Sequence, residues 1–273
     1  MFSYLPNLTS LHLPFSAYTE NEVVSQNALC NLKQLVLHNG IGSIQFLWSL
    51  LRSAVNLEEI SFYSDTSFFV EGLKSCVLDV FLQIPPPPTR QNILLHLQSL
   101  SIVLNDDIPE LDLFPRLTKM GLKLKEFKFD SEDGIFSDPQ VQGFLSSIRS
   151  SLVHLEFHGD SAGVQISSIV SLNIKTFVAD FDVYSLNFLE KYDVLEFLEI
   201  QGTKLGVMKS SETSKPHPKL HSLRLKNFPV GKEAVLIEIA ESFPNLAIFQ
   251  IICFSSYLQI VAERMTNLDE LIL

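Results

Sequence analysis

An apolar residue, two positions of any kind, a second apolar residue, one of any kind and a third apolar residue recur eleven times along the chain. The segments read "LTSLHL", "LKQLVL", "LEEISF", "LQSLSI", "LKEFKF", "LVHLEF", "IKTFVA", "LEFLEI", "LHSLRL", "LAIFQI" and "LDELIL". They start at Leu8, Leu32, Leu57, Leu97, Leu124, Leu152, Ile174, Leu195, Leu220, Leu246 and Leu268, at intervals of 21 to 28 residues apart from one of 40. A Leu-rich chain contains chance matches, but chance does not space eleven of them over its whole length. Several carry the same lead-in: "LPNL", "LCNL", "AVNL", "FPNL" and "MTNL". The alternation inside each segment predicts a short strand with one apolar face. One such unit cannot bury that face alone, so neighbouring units must stack.

Between the strands, some return segments carry a helical period. "SIQFLWSLLRSA" (Ser43 to Ala54) places Ile44, Leu47, Leu50, Leu51 and Ala54 on one face, and "GKEAVLIEIAESF" (Gly231 to Phe243) and "SSYLQIVAERM" (Ser255 to Met265) behave alike. These stripes, with Trp48, read as core. Two insertions interrupt the rhythm, at about 65–93 and at 203–219. The first holds a helix-like "FFVEGLKSCVLDVFLQI" and then "PPPPTR", Pro85 to Arg90, whose prolines lack the donor needed in helix or sheet and predict an exposed polyproline loop. Its PxxPxR order also suits a Src-homology ligand, although a spacer is the plainer reading. The second, "TKLGVMKSSETSKPHPK", is polar and predicts a mobile loop with Ser210, Ser211 and Ser214 as conceivable phosphorylation positions.

With these segments and this spacing the chain resembles the leucine-rich repeat superfamily over essentially its full length, and in particular the irregular repeats attached to F-box proteins. The resemblance implies an α/β solenoid: one domain, 1–273, of about eleven repeats. A parallel sheet would line the concave face of a horseshoe, with helices and irregular returns on the convex face. It also implies a non-enzymatic protein-binding module, the substrate-recognition part of an SCF-type ubiquitin ligase. A Skp-type adaptor and a cullin would join only through an F-box upstream. A scaffold or ribonuclease-inhibitor-like regulator is the alternative on the same fold. The chain departs from the family where asparagine or cysteine usually stands three residues after the last strand leucine; Ser16, Gly40 and Asp160 occupy that place, while Asn39 and Asn227 stand one position earlier. The inner asparagine ladder is therefore not expected in its usual position. No polar cap flanks the first or last strand, so the chain reads as a fragment with the F-box in a missing part.

Charge narrows the partners. Twenty basic residues against 31 acidic ones give −11, the wrong sign for nucleic-acid phosphates or an anionic membrane surface. A basic or neutral protein partner is expected. Cys30, Cys76 and Cys253 are far apart and odd in number, which suggests neither a disulfide framework nor a CxxC metal site. There is no apolar run of about 18 residues and no basic-then-apolar leader. The cytoplasm or nucleus is the expected location.

Two chemical readings compete with binding. "GDSAG" fits a GxSxG nucleophile elbow at Ser161, with Asp180 or Asp182 and His217 or His221 downstream. No glycine-rich oxyanion loop precedes it, and "VQISSIVSLN" does not read as the required helix, so Ser161 is expected to be a turn residue. His154, Glu156 and His158 alternate on one strand face and are zinc-compatible types. Positions i and i+4 of a strand stand about 13 Å apart, so neither a metal nor any other cofactor is expected. The same alternation instead assigns the outward residues of the sheet: Gln34, Val36, His38, Glu59, Ser61 and Tyr63, then Glu126, Lys128, Asp130, His154, Glu156, His158 and Asp180, then Glu199, Gln201, Ser222, Arg224 and Lys226. Of these, Tyr63, Glu126, Lys128, Asp130, His154, Glu156, His158, Asp180, Glu199, Arg224 and Lys226 are the candidate protein-binding residues. The face is expected to be acidic in its middle and basic toward its C-terminal end, with Tyr63 or Phe197 as anchors.

Overall fold

The computed structural model describes residues 5–13, 24–25, 28–38, 44–63, 94, 96–104, 113–133, 139–160, 173–182, 186, 189, 192–201, 205–206, 217, 219–228, 231–251 and 255–273. They fall into two compact units, Met1–Asp133 with Asp138–Ile148, and Gly134–Ser137 with Arg149–Leu273. The first contains β1 (Ser10–Leu13), β2 (Gln34–His38), β3 (Glu59–Tyr63), β4 (Ser99–Leu104) and β5 (Glu126–Asp133), each parallel to the next. The second contains β6 (His154–Asp160), β7 (Thr176–Asp182), β8 (Phe197–Gln201), β9 (Ser222–Lys226), β10 (Ile248–Ile251) and β11 (Glu270–Ile272), again parallel and in chain order. The architecture is thus α/β and repeat-like, a parallel sheet in which sequence neighbours are spatial neighbours.

The register is the sequence alignment. Leu35, Ile60, Leu100 and Phe127, each the second apolar residue of its segment, are successive partners in the first unit. Leu155, Phe177, Leu198, Leu223, Phe249 and Leu271 do the same in the second. One irregularity, a shift between Ala179 and Asp182, brings Asp182 opposite Gln201. Burial explains why the register is so strict: a slip by one residue would turn every apolar side chain to the other face. The leading residues Leu32, Leu57, Leu97, Leu124, Leu152, Ile174, Leu195, Leu220 and Leu246 are all buried.

Each strand is entered through the same turn. The carbonyl just after the leading apolar residue accepts two N–H groups from the next coil: Thr9 from Lys33 and Gln34, Lys33 from Glu58 and Glu59, Glu58 from Gln98 and Ser99. Lys175, Glu196, His221 and Ala247 repeat this in the second unit. Beside these turns runs an amide ladder built from the lead-in asparagines. Asn31 Nδ2 donates to the Pro6 carbonyl at 2.6 Å, Asn56 to Cys30 at 2.8 Å, Asn173 to Ser150 at 2.9 Å and Asn267 to Pro244 at 2.8 Å. Asn227, which the sequence offers for a ladder shifted by one, instead adopts a left-handed φ of 54° and donates to the Gln201 side chain. The ladder has moved to the strand entrance, where every coil meets the one before it.

Five helices are described: α1 (Ile44–Ser53), α2 (Leu113–Met120) and α3 (Pro139–Ile148) in the first unit, α4 (Glu233–Ser242) and α5 (Ser255–Arg264) in the second. The expected returns at 43–54, 231–243 and 255–265 correspond to α1, α4 and α5; α2 and α3 were not anticipated. Proline is tolerated in a first turn, where its missing N–H has no intrahelical partner anyway, so Pro115 and Pro139 do not prevent them. Gly121, at φ 62°, ends α2 in the left-handed conformation that costs glycine least. Phe114 of α2 and Phe144 of α3 pack on Phe127 and Phe129 of β5 with ring centroids 5.1 to 5.9 Å apart across the elements. All four rings are buried. In α4 the N-cap Lys232 has no side-chain bond of its own; its N–H is met by the Tyr257 hydroxyl of α5 at 3.0 Å. The segment 64–93 with its polyproline stretch, and most of the loop at 203–219, lie outside the described residues.

Truncating Phe144 to Ala removes the ring shared by α2 and β5, and an unfolding titration in urea should show a loss of about 3–5 kcal/mol. Asn56→Ala removes one rung at the exposed entrance, and the same titration should show about 1 kcal/mol.

Candidate protein-binding face

Because strand side chains alternate, burying the apolar set leaves the other set on the open face of the sheet. In the second unit four consecutive strands place ionisable groups there, and the groups bond to one another. His154 Nε2 lies 3.3 Å and His158 Nε2 lies 2.6 Å from the two oxygens of Glu156, so one carboxylate is held between two imidazoles. His158 Nδ1 faces Asp180 Oδ2 at 3.7 Å on β7. Asp180 also accepts from Gln201 Nε2 and stands 3.9 Å from Lys226 Nζ. Lys226 donates to Glu199 Oε1 at 2.7 Å, and Arg224 NH1 reaches the other Glu199 oxygen at 3.4 Å. Asn227 closes the group through Gln201 Oε1 at 2.7 Å.

Glu199 is the pivot. Its side chain is only 13% exposed, whereas Arg224 and Lys226 are each 41% exposed, so the buried charge is the acid and the solvated ones are its two cations. An unpaired carboxylate at that depth would be costly. Hydrogen bonding to Glu199 raises the Lys226 pKa above its ordinary 10.5, against the opposing effect of its partial burial. The stability that Lys226 contributes through this shift is therefore present at neutral pH and fades as the pH rises through the raised value. The Arg224 guanidinium lies 5.1 Å above the Phe197 ring, a cation–π contact that orients it. Phe197 is therefore a support for Arg224 rather than a free-standing anchor.

The acidic middle and basic end expected from sequence exist, and on the folded sheet their groups pair with one another. Glu156, Asp180 and Glu199 meet Arg224, Lys226 and the two imidazoles within the face, a division of labour invisible until the strands are set side by side. The backbone separation of His154 and His158 is bridged because both rings bend toward Glu156. No group of three or more His, Cys, Asp or Glu residues suited to a metal occurs among the described residues.

In the first unit the open face is ordered differently. Ser10, Gln34 and Glu59 form a hydrogen-bonded row across β1 to β3, at 2.7 and 3.0 Å. Tyr63 stacks on His38 with centroids 5.1 Å apart and planes within 18°, and remains 40% exposed. Glu126 is exposed, and Lys128 and Asp130 are half-buried beside it on β5. Val36 and Ser61, assigned outward by the alternation, do lie in this set but are buried to 6% and 4% exposure, recessed between the longer rows on either side. Ser222 in the second unit is recessed too. Ser99, Ser101 and Val103 of β4 belong to the same face and carry no charge or ring that would have drawn attention to them.

At the strand entrances of the first unit an open, polar groove of about 570 Å³ is framed by Asn7, Asn31, Asn56 and His96 on one side and Thr9, Lys33, Glu58 and Gln98 on the other. Lys33 pairs with Glu58 at 2.8 Å, and Lys175 with Glu196 at 2.7 Å in the second unit. The bond from Lys175 lowers the Glu196 pKa.

Of the residues that a hydrolase would recruit, His217 and Asp180 have partners elsewhere. His217 is buried, its Nε2 donating to the Tyr192 carbonyl and its N–H to Ser242 O at 2.9 Å, so that it ties the coils before and after it. The same burial pushes the Tyr192 phenol pKa up. Asp180 belongs to the charged face. Ser161 and its turn lie outside the described residues. No helix among the described residues is long and apolar enough to cross a membrane. No family model matches the chain, and no curated protein matches it either.

Glu199→Ala should destabilise the chain by about 1.5–3 kcal/mol in a urea titration, the range for hydrogen bonds to charged groups. Glu196→Ala, on a solvent-facing surface pair, should leave the same curve unchanged.

Proposed function

We propose that the chain is a leucine-rich repeat module that binds a protein on the open face of its sheet, and that it serves as the substrate-recognition part of an F-box-type ubiquitin ligase. One observation carries the binding half of this reading. Seven ionisable side chains, His154, Glu156, His158, Asp180, Glu199, Arg224 and Lys226, are set on one sheet face by four strands and locked together by their mutual bonds. Charged groups held in fixed positions lose little freedom when a partner docks, and they discriminate between partners by charge register. Carboxylates paired with Arg224 and Lys226 on one face favour a partner of mixed charge over a strongly anionic one, which agrees with a net charge of −11. The ligase half rests on the resemblance of the repeats alone, the F-box docking the adaptor while the repeats select the target.

The test uses the product of the full natural transcript, crosslinked in cells and purified with and without the substitutions Arg224→Glu and Lys226→Glu. A target captured by the native protein should be lost from the double variant, while the Skp-type adaptor and cullin remain bound. Capture without adaptor or cullin would make the chain a scaffold or regulator. Targets indifferent to the two substitutions would overturn the assignment of the face.

A further inference from the structure

One ring in the charged band has an acid at each of its nitrogens. His158 Nε2 lies 2.6 Å from Glu156 Oε1 on its own strand, and His158 Nδ1 lies 3.7 Å from Asp180 Oδ2 on β7. An ionised carboxylate only accepts hydrogen bonds, so Glu156 requires a proton on Nε2. A neutral imidazole carries one proton and would then turn the bare lone pair of Nδ1 toward Asp180. The imidazolium carries a proton on both nitrogens and suits both acids. The His158 side chain is 28% exposed and that of Asp180 36%, so water screens their contact only in part.

The surrounding charges give that proton a consequence. Within the second unit, His158 is faced by Glu156 on β6, which His154 also meets through Nε2, and by Asp180 on β7. The other Asp180 oxygen receives Gln201 of β8 and stands 3.9 Å from Lys226 of β9. Lys226 gives its short bond, 2.7 Å, to Glu199, which Arg224 also approaches. Over this network Glu156, Asp180 and Glu199 are three anions, and Arg224 and Lys226 are two permanent cations. A second proton on His158 makes the third.

We infer that His158 is this third cation and the proton-operated switch of the face. Protonated, it ties β6 to β7 through Glu156 and Asp180 and balances the network. Deprotonated, it releases Asp180 and leaves the network with one net negative charge. Because the folded chain favours the charged ring, its midpoint lies above the ordinary value for histidine. The tie is whole below that ordinary value and is lost as the pH rises through the raised one. For its consequence alone the inference rests on the protein-binding reading: a target that reads the face by charge register meets a different face on either side of that pH.

Nuclear magnetic resonance of the histidine rings in the whole chain, followed between about pH 5 and 9, tests it. His158→Gln, which keeps a donor for Glu156 and cannot titrate, assigns the signals. At the midpoint that His158 shows in the urea-unfolded chain, the folded ring should favour the charged form by about tenfold. Asp180→Asn keeps an oxygen for Gln201 and removes only the charge. That variant and Glu156→Gln should each move the midpoint back toward the unfolded one, with circular dichroism matching the native chain. A folded midpoint no higher than the unfolded one, or a raised midpoint that neither variant lowers, would overturn the switch. The binding reading is decided apart from this, by release of the crosslinked target from the Arg224 and Lys226 variant.

Discussion

Everything in this fold depends on the bond between one coil and the next at the strand entrance. A carbonyl placed immediately after a buried leucine accepts two N–H groups from the following coil, and the side-chain amide of a lead-in asparagine caps the preceding one. Neither works without the other's geometry. The buried leucine holds the entering chain against the core so that its carbonyl faces the next coil, and the bonds hold the coils at the strand spacing that lets the leucines stack. Since each coil meets only its neighbours, small local terms are repeated many times, and insertions are accommodated between strands without disturbing the register. The interval of 40 residues before Leu97 still delivers Leu100 opposite Ile60.

The entrance geometry also creates the functional surface. Once strands are fixed in register, each outward position forms a row with its counterparts on neighbouring strands, and chemistry that is scattered in sequence becomes contiguous. Glu199 and Lys226 are 27 residues apart in the chain and share a hydrogen bond. His154, Glu156 and His158 on β6 continue into Asp180 on β7, then into Gln201 and Lys226. In the first unit the same rule sets Glu59 opposite Ser99 and Ser61 opposite Ser101. The two units therefore carry different chemistry on one plan, a hydrogen-bonded polar row with a stacked ring pair in the first and a band of paired charges in the second, both presented on strands rather than on loops.

The strands were legible in the sequence because period-2 alternation and a buried leucine leave little freedom, and each of the eleven segments holds one of the eleven strands among the described residues. The lead-in asparagines were visible too, although their role was not. The family's asparagine ladder stands after the strand, whereas here the amides act before it, where the entrance turn brings them to the preceding coil's carbonyl. Helices α2 and α3 escaped notice since each contains a proline that reads as a breaker unless its place in the first turn is known.

What the sequence determined by itself was the set of inward and outward positions, since alternation assigns every strand residue to a face before any packing is known. Only the tertiary structure decided which outward residues meet. Register brought Lys226 onto Glu199 and set Arg224 over Phe197, turning an apparent charge gradient into a network of paired groups. It also decided depth. Ser61 and Ser101 were outward by alternation yet lie nearly buried, because the height of a side chain on a sheet is set by the length of its neighbours on adjacent strands, and those neighbours are tens of residues away in the chain.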